Sequence, residues 1–63
     1  MKFDKYKVAD LLTRCRLQEA HDYANSHGED FIAISIGELM FSHDQDYPSL
    51  IEDIIHYDLG IKN

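Results

Sequence analysis

Apolar and polar positions divide the chain into three segments. The middle one, Glu29 to His43 (EDFIAISIGELMFSH), is the most apolar run, and the stretches on either side of it are charged and punctuated. Ile32, Ile34 and Ile36 alternate with Ala33 and Ser35, a strand signal, and Ile and Phe both favour strands. The alternation is short and collapses into Leu39, Met40 and Phe41, where both faces would be apolar. On a wheel of about 100° per residue, Ser35, Glu38 and Ser42 gather on one narrow strip, and the rest of Phe31 to Phe41 is apolar or Gly. A helix over roughly residues 30–42, hydrophobic on nearly all sides and therefore buried, is the favoured reading; a strand over 31–36 is the alternative. Gly37 costs such a helix about 1 kcal/mol relative to Ala and lets a neighbouring helix come close.

After this run comes a polar, acidic loop, then Tyr47, Leu50, Ile51, Ile54, Ile55 and Leu59 at helical spacing. They predict an amphipathic helix over 47–59, with Pro48 in its first turn, Ser49, Glu52, Asp53 and His56 on its solvated side, and Gly60 as its stop. Before the run, Lys5 to Ala24 contains neither Gly nor Pro, so a first helix over 4–25 is expected, capped by Asp4. Its apolar residues fall on two sides, with Val8, Leu11, Leu12, Cys15 and Tyr23 opposite Tyr6, Ala9, Leu17, Ala20 and Ala24. One face then packs within the chain and the other against a second copy. The alternative is a break near Arg16. At the far end, Gly28 fits the position after a helix C-cap, while Ser26-x-x-Glu29 fits a capping box for the next helix. Either makes the connection short and the first two helices antiparallel neighbours.

Length sharpens the second-copy reading. A 63-residue chain is one domain and buries only about 60% of its unfolded surface. The only cysteine, Cys15, permits no internal disulfide and fits a reducing cytosol. Met1 to Val8 has no apolar signal-peptide core, and no run approaches the roughly 20 apolar residues a bilayer needs. The expectation is a cytoplasmic protein without membrane contact.

The formal net charge is −6, unevenly spread. Five of the six basic residues, Lys2, Lys5, Lys7, Arg14 and Arg16, lie in the first 16 positions, against Asp4 and Asp10. With Phe3 and Tyr6 they form the candidate nucleic-acid patch. The sequence pI of about 4.8 and the apolar or acidic later helices weigh against unaided phosphate binding. Asp44, Asp46, Glu52 and Asp53 form the opposite candidate, an acidic surface for a basic protein partner, although such charge is usually a solvated face.

No constellation promises catalysis. Cys15 is expected on an apolar helix face as a structural cysteine, with no base beside it. Paired carboxylates such as Glu52-Asp53 carry little signal, and no Gly-rich phosphate loop is present. His21 and His27 are six apart, and His43, Asp44 and Asp46 cluster in a loop. Neither matches the usual zinc spacing, so ordinary polar histidines are expected, with His56 paired to Glu52 one turn earlier. No enzyme activity, cofactor or small-molecule substrate is expected.

The segments MKFDKYKVADLLTRCRLQEAHDYANSHGEDF and YPSLIEDIIHYDLGIKN, in a chain just over sixty residues long, resemble the small early-region proteins encoded between the exonuclease and excisionase genes of lambdoid bacteriophages. The resemblance spans most of the chain without a diagnostic motif. It implies an early phage product in the host cytoplasm that influences the choice between lytic and lysogenic development. It supplies no site residue.

The expected architecture is an all-α, three-helix protein forming a homodimeric bundle. Val8, Leu12, Leu17, Ile32, Ile36, Leu39, Met40 and Phe41 are the candidate self-association residues. The expected function is regulatory contact with a host or phage protein. A DNA-associated accessory factor is the alternative.

Overall fold

The computed structural model describes residues 2–41 and 47–62. It is all-α: α1 Lys5–Thr13, α2 Leu17–Ser26, α3 Asp30–Phe41 and α4 Tyr47–Asp53, the last running into a π-helical segment, Ile54–Asp58. No strand occurs among the described residues, so residues 31–36 are helical and the strand alternative falls.

The expected first helix over 4–25 is two helices. Asp4 caps α1 as its side chain suggests, its carboxylate accepting from the Tyr6 and Lys7 amides at 3.0 and 3.4 Å. The chain then turns at Arg14-Cys15-Arg16. The Arg16 amide donates to the Leu11 carbonyl at 2.8 Å and the Cys15 amide to the Leu12 carbonyl at 3.0 Å. This 6→1 and 5→2 pair closes the helix in a Schellman motif. The motif needs a left-handed residue, and Cys15 supplies it at φ 61°. The break near Arg16 is therefore the correct alternative, and each half buries its own face: Val8 and Leu12 from α1, Ala20 and Ala24 from α2. Cys15 is exposed rather than set in an apolar face. A side chain in the left-handed region costs about 1–2 kcal/mol, partly offset in a glycine by its greater unfolded-state entropy. Cys15→Gly is accordingly expected to raise stability by up to about 1 kcal/mol, read as a higher urea midpoint at unchanged slope.

α2 ends in the same way. The Glu29 amide donates to the Ala24 carbonyl at 2.9 Å and the Gly28 amide to the Asn25 carbonyl at 3.2 Å, with Gly28 at φ 76°. Ser26 does not form a capping box. Its hydroxyl donates to the Tyr23 carbonyl at 3.0 Å, inside the helix it was expected to leave.

α2 and α3 pack as antiparallel neighbours, close because Ala20 and Ala24 present only methyl groups. The His21 ring lies over Gly37, but a Cβ built there would stand 3.8 Å from His21 Cδ2, ordinary van der Waals contact. The approach does not require a glycine. Gly37→Ala is expected to stabilise by about 0.5–1 kcal/mol through helix propensity, measured by thermal or urea unfolding.

The core joins Val8 and Leu12 to Ala20 and Ala24, to Ile32, Ala33, Ile36 and Leu39 of α3, and to Ile51, Ile54 and Leu59. This corrects the self-association set. Val8, Leu12, Ile32, Ile36 and Leu39 lie in the chain's own interior, and Leu17 and Met40 are half-buried. Only Phe41 stands open. The split of the first helix is the physical reason, since two short helices turn two apolar faces inward where one long helix would have turned one outward.

The chain ends are tied down. Phe3 packs on Tyr23, ring centroids 5.7 Å apart, and Tyr23 on His27 at 4.2 Å; the Asp4 amide donates to the Tyr23 hydroxyl at 2.9 Å. His27 Nδ1–H donates to the Tyr23 carbonyl at 2.8 Å. At the other end, His56 Nδ1–H donates to the Ile61 carbonyl at 3.0 Å rather than pairing with Glu52.

Candidate docking surface

The wheel of α3 separates two arcs. Ile32, Ala33, Ile36 and Leu39 point into the core. Opposite them, within an arc of about 80° on a helical wheel, lie Phe31, Ile34, Glu38 and Phe41. Phe31 is 84% exposed, Phe41 82% and Ile34 60%. The expected polar strip of Ser35, Glu38 and Ser42 is therefore not the open side. Glu38 belongs to it, but Ser35 is half-buried towards α4, and Ser42 lies outside the described residues. An all-round apolar helix carries little asymmetry to mark which side faces out. Its neighbours decide that, and the corner at Cys15 decides where the neighbours are.

Beside this ridge runs a groove of about 440 Å³ between α3 and α4. Leu39, Leu50 and Ile54 form its floor and Tyr57 its lip; Tyr57 is 82% exposed. Carboxylates stand on both banks, Glu38 from α3 and Asp53 and Asp58 from the other side, and among the described residues no cation lines it. A second groove, about 660 Å³, continues past Asp58 towards the N-terminus over Ile32 and Leu59. There Lys2 and Lys5 stand among three carboxylates, Asp4, Glu29 and Asp58.

Of the expected acidic surface, Glu52 and Asp53 are exposed on α4, and Asp53 is part of the groove. Asp44 and Asp46, with His43, lie outside the described residues. The basic set does not form one free patch. Arg14 Nε meets Asp10 at 3.2 Å and Arg16 meets Glu19 at 3.1 Å, both in exposed pairs. Lys5 lies over the Tyr6 ring at 5.5 Å and Lys7 over Tyr23 at 5.1 Å, cation–π distances. Among the described residues, no three His, Cys, Asp or Glu side chains come together as a metal site; His21 rests against Asp22 at 3.4 Å. No helix among them is long and apolar enough to cross a membrane.

Set beside protein-family models, curated proteins and solved structures, the chain has no match.

Phe31, Ile34 and Tyr57 had not been singled out as surface residues. The signal for two of them was present, since Phe31 and Ile34 stand three residues apart, with Phe41 seven further on, and share a helix face with it. It was masked by the equally good spacing of Ile32, Ile36 and Leu39 on the other side.

Proposed function

We propose that this chain is a non-enzymatic interaction protein whose docking surface is the outer face of α3. One observation carries the reading. The chain fills its interior from all four helices and still leaves Phe31, Ile34 and Phe41 open on a single helical face. Monomeric soluble proteins rarely keep a clustered apolar patch without a use. These three side chains expose on the order of 500 Å², short of the about 800 Å² per partner that a stable specific interface buries. The ridge alone is small for a stable homodimer, and a partner reaching across it to the groove beside it is the better fit.

The resemblance to lambdoid phage early-region proteins extends the reading to a regulatory protein acting in the host cytoplasm on the lytic–lysogenic choice. That extension rests on the resemblance alone. The nucleic-acid reading has less support, because Arg14 and Arg16 each face a carboxylate.

Photo-cross-linking tests the proposal. A benzophenone side chain placed at position 34 or 41 is expected to give a discrete protein adduct in cells, and one at the polar, exposed position 18 is expected to give none. An adduct with a second copy of the chain would identify self-association on this face. Equal labelling at all three positions, or none at any, would overturn the proposal.

A further inference from the structure

We infer that the groove between α3 and α4 seats a basic amphipathic helix of a partner protein, apolar side inward and Lys or Arg towards Glu38, Asp53 and Asp58. The inference deepens the reading of the chain as an interaction protein and rests on it.

Three features of the groove select this occupant. Its floor is aliphatic, from Leu39, Leu50 and Ile54, with the Tyr57 ring standing open at the lip, so the occupant must bring apolar side chains. Among the described residues its banks carry three carboxylates and no cation, and none of the three is ion-paired. Cations at the margin of the occupant's apolar face would meet opposite charge on both banks, while an acidic or neutral segment would not. The chain's net charge of −6 adds long-range attraction for a basic partner, which raises association rate and selectivity more than final affinity.

The walls of the groove select helix over extended chain. No strand edge is available among the described residues, so an extended segment would find no ladder to join and its backbone groups would stay unpaired. A helix satisfies its own backbone and lays apolar side chains at i, i+3, i+4 and i+7 into a trough between two helices. Phe31, next to Glu38 on the α3 wheel, extends the apolar contact along the same bank.

The test uses synthetic helical peptides of about 18 residues, long enough to hold a helix on the surface. One carries leucines at i, i+3, i+4 and i+7 with lysines elsewhere. The second has the same composition with the leucines dispersed around the wheel. The third replaces every lysine by glutamate. The full chain is titrated with each and followed by amide and methyl NMR shifts. The first peptide is expected to bind with a Kd of about 10 µM, to shift Leu39, Leu50, Ile54 and Tyr57, and to weaken as salt rises. The other two are expected to bind at least about tenfold more weakly. The variant E38Q/D53N/D58N changes only exposed side chains and is expected to keep the fold and to weaken the lysine peptide by about tenfold. Y57A is expected to weaken it as well.

Equal binding of the dispersed or the glutamate peptide would overturn the inference. So would unchanged affinity in the triple variant, or shifts confined to Phe31, Ile34 and Phe41. If the peptides fail while cross-linking at position 41 still captures a partner, the groove assignment falls and the interaction reading stands. If both fail, both fall.

Discussion

Ile36→Ala is expected to leave the chain largely unfolded at the temperature where the unchanged chain is folded. Ile36 is 0% exposed and sits midway along α3, the helix that packs against α2 and the C-terminal π-helical segment. Truncating a buried Ile or Leu to Ala costs about 2–5 kcal/mol, the transfer free energy of the lost carbons plus the cavity they leave. At about 0.05–0.15 kcal/mol per residue, a chain of this size holds about 3–9 kcal/mol in all. The loss is thus comparable with the whole stability of the domain. Ile34→Ala supplies the control. It removes the same carbons from the same helix two residues away, at a position 60% exposed, and is expected to cost under about 1 kcal/mol. Circular dichroism through a urea titration distinguishes them. Equal midpoints for the two variants would mean that the inward and outward faces of α3 are assigned wrongly.

The second large effect is on binding and leaves stability alone. Phe31→Ser with Phe41→Ser removes two aromatic rings that are more than four-fifths exposed, so folding loses little of their burial. The melting midpoint is expected to stay within the range of ordinary surface changes, about 0.5 kcal/mol per site. Partner capture through α3 is expected to drop at least tenfold, about 1.4 kcal/mol or more, because buried aromatics dominate the energetics of interfaces. Co-purification and the melting curve, taken on the same preparation, check both halves. A lowered melting midpoint with intact capture would show that the rings serve the fold.

The all-α class and three of the local signals were legible in the chain. Asp4 caps α1, Gly28 ends α2, and the hydrophobic spacing from Leu50 to Leu59 lies on one helix side, each because the feature is local and its chemistry is unambiguous. The corner at Cys15 was legible only as an alternative, from the two apolar faces of Lys5 to Ala24. A helix end of this kind is normally flagged by Gly or Asn, and here a cysteine takes the left-handed conformation, so no turn residue fixes the position of the break. The corner also decides which apolar residues are left outside. With one long two-faced helix, surplus apolar surface falls on the first helix and on the outer side of the central run together, and a second copy is the expected cover. With two short helices the surplus moves to α3, to Phe31, Ile34 and Phe41. The docking surface was thus half legible: the acidic residues Glu52 and Asp53 are exposed as their composition suggested, but the bank opposite them, Glu38, depends on how α3 is rotated, and rotation is a property of packing.

The second groove has a consequence for handling the protein. Lys2 and Phe3 line it together with Asp58 and Leu59, so the residues ahead of α1 and the end of the π-helical segment lie on one side of the molecule. Lys2 shares it with Asp58, which also borders the groove between α3 and α4, so a fluorophore attached at Lys2 stands on that side. An attachment point on the outer side of α2, such as Gln18 or Asn25, keeps that side of the molecule clear.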